Sequence, residues 1–150
     1  DPDQLSVTGV PWTFFDAALT KIPAPVLLLA DTCHSGNIVG NDAWQAHAQV
    51  EADRFLRQTS RNGVFVLASS SGTAISIEDA AWKHGAFTKA LLDGLSGKAA
   101  YGDGQAVTVN DLQDDVRNAV VKLTDNAQKP VVSKVEGFDK LMDMVLTKVK

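Results

Sequence analysis

The sequence of 150 residues contains only one cysteine, Cys33. A single thiol cannot close an intrachain disulfide, and it cannot supply the cysteine pairs of a structural zinc site. A long apolar run is also missing, because none approaches the roughly 20 residues of a membrane-spanning helix. No secretory signal peptide is visible. We therefore expect a cytoplasmic protein that does not contact a membrane and whose thiol is kept reduced.

Positive charge is in short supply as well. The 14 Lys and Arg are outnumbered by 18 Asp and Glu, which gives a formal net charge of −4. This balance argues against nucleic acid as a partner. With 45% hydrophobic and 21% charged residues, the chain has the composition of a globular protein with a sizeable core. Its length predicts a single domain over residues 1–150.

Apolar periodicity predicts alternating strands and helices. Two short apolar runs, Val26–Ala30 and Val64–Ala68, have the length and composition of buried strands in a parallel sheet. Apolar residues three and four positions apart predict helices at Trp12–Ile22, Val50–Thr59, Phe87–Leu95 and Thr108–Leu123. In the last of these helices, Thr108 is the predicted N-cap and Leu123 is expected to be buried. The stretch Met142–Val149 is compatible with an edge strand or a helix. The prediction is an α/β layered fold in which helices flank a mostly parallel central sheet.

Active sites of such sheets lie just beyond the carboxyl ends of the strands. Two loops qualify here, residues 31–37 and residues 69–77. Cys33 lies in the first loop, on a turn where Gly36 lets a substrate backbone come close. A thiol fixed by a strand and exposed by a turn suits nucleophilic catalysis, and the N–H groups of the turn can stabilise an oxyanion. The alternative is a buried, inert cysteine.

The stretch Val26–Gly36, an apolar strand followed by Asp-Thr-Cys-His-Ser-Gly, resembles the catalytic-cysteine motif of metacaspases and related bacterial caspase-like peptidases. Later stretches resemble further blocks of that family in the same order: Gly63–Ser71, His84–Leu95 and Gln128–Val131. The resemblance runs from about Gly9 to Val132. It implies a caspase-like fold and a cysteine endopeptidase that acts through an acyl-enzyme.

The resemblance also implies roles for individual residues. Cys33 becomes the nucleophile, and its own backbone N–H helps to form the oxyanion hole. Asp31 falls where metacaspases have an acidic residue of the S1 pocket, the pocket that holds the side chain before the cut. A carboxylate in this pocket favours Arg or Lys by charge-assisted hydrogen bonds. The alternative for Asp31 is a turn-capping aspartate.

The loop after the second predicted strand supplies the other substrate-binding candidates. Ser69 and Ser70 end the strand and are candidates for contact with the substrate backbone, with an ordinary strand-end role as an equal alternative. Glu78 and Asp79 add negative charge, unless they are simply solvated. No arginine occurs between residues 62 and 116, whereas aspartate-cleaving caspases build this pocket with arginines. We therefore expect cleavage of protein or peptide substrates after Arg or Lys.

A general base is not evident in the sequence. In the family neither His34, beside Cys33, nor His84, before a predicted helix, stands at the position of the catalytic histidine, and His47 lies in a weakly patterned segment. The family's Ser-Gly-His-Gly motif has no counterpart before Cys33. We expect a segment upstream of Asp1 to supply this histidine and the first strands of the sheet. The 150 residues alone should then be inactive and should associate with that N-terminal portion.

No cofactor is expected. Some metacaspases need calcium, but Tyr101–Gln105 contains only one carboxylate, Asp103, and is predicted to be a turn. Self-cleavage is not expected within residues 37–53, which contain neither Lys nor Arg. Two other functions stay open. One is a non-catalytic caspase-like scaffold or regulator, and the other is a flavodoxin-like binding domain, which does not explain the cysteine block.

Overall fold

The computed structural model describes residues 9–31, 42–70, 77–80, 82–132 and 137–149. In chain order the elements are α1 (Trp12–Leu19), β1 (Val26–Ala30), α2 (Asp42–Arg61), β2 (Val64–Ala68), β3 (Glu78–Asp79), β4 (His84–Gly85), α3 (Ala86–Asp93), a π-helical turn (Gly94–Lys98), β5 (Ala106–Thr108), α4 (Val109–Leu123), β6 (Val131–Val132), α5 (Asp139–Met142) and β7 (Val145–Lys148). Helices are interspersed with strands along the chain, so the predicted α/β class is confirmed.

The central sheet has the strand order β1-β2-β6. β1 and β2 run parallel and in register from Val26 opposite Val64 to Ala30 opposite Ala68. β6 pairs with β2 in the antiparallel direction through Val131 and Val132. The two apolar runs therefore form the parallel pair that their composition predicts. The sheet is mixed because β6, which follows α4, runs in the direction opposite to β2.

β2 lies at the centre of the molecule, and its side chains alternate between two cores. Phe65 and Leu67 belong to one apolar cluster, and Val64 and Val66 belong to the other. This alternation is the period of two that a pleated strand imposes. The first cluster is closed by α3 and α4 and the second by α2, so the layers are helix, sheet and helix.

β1 differs from β2 in its burial. Every residue of β2 is buried, whereas every residue of β1 is half-buried. Within the described ranges, β1 pairs with β2 alone. Its run of Val, Leu and Ala predicts a strand covered on both faces, and the structure covers it less than that.

The helices agree with the periodicity more closely in the middle than at the ends. Thr108 caps α4 as predicted: its hydroxyl accepts from Asp111 N, and the Asp111 carboxylate accepts from Thr108 N at 3.0 Å. α2 begins at Asp42, eight residues earlier than the predicted start at Val50. The prediction placed Asp42 in a loop, but it is the first residue of the helix. Leu123, expected inside, is 37% exposed.

The ambiguity of Met142–Val149 is resolved in favour of a strand. The four-residue helix α5 ends at Met142, and β7 follows and pairs with β5 in the antiparallel direction. None of the helices in the described ranges is long and apolar enough to cross a membrane.

Candidate active site

The carboxyl ends of β1 and β2 lie side by side. Ala30 is opposite Ala68, and the next amide, Ser69 N, donates to Ala30 O at 2.9 Å, so the ladder continues one residue beyond the strands. Asp31 and Ser69 therefore follow β1 and β2 at the same edge of the sheet, where the two predicted catalytic loops begin. Cys33 and His34 lie outside the described residues.

Asp31 is half-buried and contacts the start of α3. Its Oδ2 accepts a hydrogen bond from Thr88 Oγ1 at 2.5 Å. A Cβ placed on Gly85 would lie 3.4 Å from the same oxygen. A methyl group at this position would already be in van der Waals contact, so any longer side chain would compete with the Asp31 carboxylate for space. Gly85 thus keeps open the space that the carboxylate occupies.

A hairpin of two very short strands lies beside this carboxylate. β3 and β4 pair with Glu78 opposite Gly85 and Asp79 opposite His84. The side chains of Glu78, Asp79 and His84 are exposed. The hairpin lines an open cavity of about 360 Å³ that also includes Lys83 and Gly85. Gly85 therefore borders both the cavity and Asp31.

Ser69 and Ser70 are 0% and 2% exposed. The carbonyl of Ser69 accepts from Gln128 Nε2 at 2.9 Å, and Gln128 Oε1 accepts from Ile77 N at 2.8 Å. The fully buried Gln128 amide therefore ties the end of β2 to the start of the β3–β4 hairpin. For these two serines, the structural alternative has the stronger support.

The structure adds three residues to those predicted: Gly85, Thr88 and Gln128. All three stand in stretches that resemble the caspase-like family. The hydrogen-bond partners of Thr88 and Gln128, however, lie 51 to 59 residues away along the chain. The sequence around Gln128 did not reveal its burial, although a buried amide must find hydrogen-bond partners. Thr88 carried no signal beyond its block.

Asp103 stands in a turn, as predicted. Its Oδ1 accepts from Gln105 N at 3.1 Å, and the neighbouring glycines Gly102 and Gly104 have φ values of +67° and +72°. Across the described ranges, no three His, Cys, Asp or Glu side chains come close enough to hold a metal ion.

Polar and acidic side chains thus gather beyond the carboxyl ends of two parallel strands, which defines an α/β protein with its site at the sheet edge. The family model of the caspase domain matches residues 4–142. The chain belongs to the caspase domain family, a family of cysteine peptidases that hydrolyse protein substrates. Neither the curated proteins nor the solved structures gave a significant match.

Proposed function

We propose that this protein is a cysteine endopeptidase of metacaspase type that cleaves after Arg or Lys. The observation that carries the proposal is the Asp31 carboxylate, which lies two residues before Cys33 at the carboxyl end of β1 and is held by Thr88. Membership of the caspase domain family supports the reaction class. The negative charge of Asp31, with the acidic residues that line the cavity bordered by Gly85, supports the choice of substrate.

The proposed reaction begins with attack of the Cys33 thiolate on the scissile carbonyl. The backbone N–H of Cys33 stabilises the oxyanion, the amine leaves with a proton from the general base, and water hydrolyses the resulting acyl-enzyme. We propose that the base is a histidine upstream of Asp1, because none of His34, His47 and His84 stands at the family's catalytic position. Ser69 and Ser70 are buried, so we keep them out of the proposed substrate surface.

The proposed preference for a basic side chain follows from charge. Asp31 lies beside Gly85, and Glu78 and Asp79 line the cavity that Gly85 borders, together with the positively charged Lys83. A guanidinium or ammonium group gains charge-assisted hydrogen bonds in such surroundings, whereas an acidic side chain is repelled. No arginine is available between residues 62 and 116 to reverse this preference.

The experiment uses the protein produced with its natural upstream sequence and a series of fluorogenic peptides that differ only in Arg, Lys, Gln or Asp before the cut. We expect hydrolysis after Arg and Lys only, and none by Cys33→Ala. Asp31→Asn should lower kcat/KM for the Arg peptide roughly ten- to hundred-fold, the usual loss when one partner of a charge pair is neutralised.

Asp103→Asn is the matched control, because Asp103 is an exposed aspartate in the turn before β5 and is not among the residues that line the cavity. It should leave kcat/KM for the Arg and Lys peptides unchanged. The role of Asp31 in basic specificity is refuted if Asp31→Asn retains the preference for Arg. The nucleophile assignment fails if a thiol reagent with Arg at this position does not label Cys33 while peptides are still cut.

A non-catalytic scaffold is the second candidate, and the lack of a matching catalytic histidine in these 150 residues favours it. The two functions differ in one measurement. A scaffold retains the fold but neither reacts with the Arg-directed thiol reagent nor hydrolyses any peptide of the series when produced with its upstream sequence.

A further inference from the structure

The hydrogen bond between Thr88 and Asp31 joins two elements that are far apart in sequence. Thr88 Oγ1 lies in the first turn of α3, and Asp31 Oδ2 lies at the end of β1, 2.5 Å away and 57 residues earlier. Both side chains are half-buried. A short charge-assisted hydrogen bond of this kind restricts the carboxylate more than water does.

The position of Thr88 is itself fixed by the core. Phe87 and Ala90, on the same helix, are 0% and 1% exposed and pack in the cluster behind β2. At the helix start, Ala86 N donates to Ile77 O at 2.9 Å. α3 is therefore anchored on both sides of Thr88, and the hydroxyl approaches Asp31 from a rigid support.

The orientation of the carboxylate plane matters for some ligands and not for others. The terminal torsion of aspartate is broad and roughly two-fold, so an unrestrained carboxylate samples many planes. Arg presents a planar fork that needs a carboxylate in a matching plane for paired hydrogen bonds, whereas the Lys ammonium behaves as a point charge. A residue that fixes the plane therefore favours Arg over Lys.

We propose that Thr88 is a positioning residue that orients the Asp31 carboxylate and so sets the preference for Arg over Lys in the residue before the cut. The inference rests on the proposed function, in which Asp31 binds that residue. Gly85 takes part by leaving the carboxylate its space, with a Cβ there reaching to 3.4 Å. A carboxylate accepts several hydrogen bonds, so donation from Thr88 is compatible with binding a substrate cation.

The test compares Thr88→Val, which removes the hydroxyl and keeps the branched shape, with Thr88→Ser, which keeps the hydroxyl. In the protein produced with its upstream sequence, Thr88→Val should raise KM for the Arg peptide roughly ten-fold, the usual weight of one charge-assisted hydrogen bond. KM for the Lys peptide should change by less than about two-fold, and kcat for both should hold. Thr88→Ser, in contrast, should retain the preference for Arg over Lys.

Thr59→Val is the matched control. Thr59 is also a hydrogen-bonded threonine, donating to Asp16 Oδ1 at 3.0 Å, but it lies in α2 on the opposite side of the sheet. It should lower the unfolding midpoint without changing the ratio of the Arg and Lys values of kcat/KM. Thr88→Ala serves as a second hydroxyl-free variant if Thr88→Val does not fold.

Three results overturn the inference. One is an unchanged Arg-to-Lys ratio in a folded Thr88→Val or Thr88→Ala protein. Another is an equal loss for both peptides, which marks a merely structural contact. The third is a wild-type protein that cleaves after neither Arg nor Lys, in which case the proposed function fails first, before any variant is compared.

Discussion

Gln128 is a single buried amide that connects three parts of the chain. Its side chain binds Ser69 O and Ile77 N, and its backbone N donates to Thr124 Oγ1 at 3.1 Å. The amide is suited to this place because it offers a donor at one end and an acceptor at the other. A side chain with two acceptors, or with none, leaves at least one of these backbone groups buried and unpaired.

Gln128→Glu tests this arrangement. The carboxylate can still accept from Ile77 N, but it confronts the Ser69 carbonyl with a second acceptor and places a buried charge beside it. We expect a loss of about 2–3 kcal/mol in the free energy of unfolding, measured by urea denaturation. Gln105→Glu, at an exposed position, should change it by less than about 0.5 kcal/mol. Equal midpoints for the two variants would contradict the assigned role.

At the scale of elements, the packing of α4 against the π-helical turn brings two carboxylates together. Asp93, at the end of α3, accepts from Lys89 Nζ at 2.5 Å and from Lys98 Nζ at 2.7 Å, and these hydrogen bonds hold its pKa below the usual range. Burial raises the pKa of Asp115 on α4, and the neighbouring charge of Asp93 raises it further. The two aspartates therefore contribute to stability with opposite pH dependence, because the pKa of Asp93 is lowered and that of Asp115 is raised.

The pH dependence of Asp115→Asn follows from the sign of its shift. A carboxyl whose pKa is higher in the folded than in the unfolded protein stabilises the fold below its ordinary pKa of 3.8 and loses that contribution as the pH rises through the folded value. At pH 7 Asp115 is therefore unfavourable, and Asp115→Asn should raise the unfolding midpoint. The gain should shrink as the pH falls towards 3.8 and below.

Asp114→Asn, one residue earlier on the exposed face of α4, is the control and should show no such pH-dependent gain. Thermal unfolding followed by circular dichroism between pH 3 and pH 7 measures both. A gain for Asp115→Asn that is the same at every pH would rule out the electrostatic explanation.

Long elements were predictable from the sequence and short ones were not. The strands β1 and β2 follow from continuous apolar runs, and α4 follows from its spacing and its Thr108 cap. The β3–β4 hairpin was expected to be a loop, because strands of two residues show no alternation that a sequence can reveal. Its register is nevertheless what brings Glu78 beside Gly85.

The candidate site was predictable to the same degree. Asp31, Glu78 and Asp79 were predicted from their place after strands and from the family resemblance. The contact between Thr88 and Asp31 was not, because it depends on how α3 docks on the sheet, which is a non-local property. The burial of Ser69 was hidden for a similar reason, since Gln128, 59 residues later in the chain, donates to its carbonyl.

For the whole molecule, the distribution of exposed apolar surface is uneven. None of the residues of α1 is buried, and Phe14 and Phe15 are 66% and 43% exposed. The adjacent β1 is only half-buried. Exposed aromatic side chains of this kind are typical of surfaces that take part in protein–protein contacts.

The 150 residues produced alone should therefore self-associate through this surface. We expect oligomers by size-exclusion chromatography with light scattering, and a shift towards monomer for the double variant Phe14→Ser and Phe15→Ser, since each removes an exposed aromatic side chain. Leu92→Ser, which removes an isolated apolar side chain that is 52% exposed on α3, should leave the oligomers unchanged. A monomeric wild-type chain would refute the prediction.

The hydrogen bond from Thr88 to Asp31 also has a consequence for timing during synthesis. The ribosome releases β1 well before α3, and the contact forms only when the later helix has docked behind β2. If Asp31 selects the substrate as proposed, a nascent chain has its nucleophile before it has an ordered specificity pocket. Only the completed fold can then discriminate between substrates. A partly synthesised chain has no ordered pocket in which a basic peptide can bind.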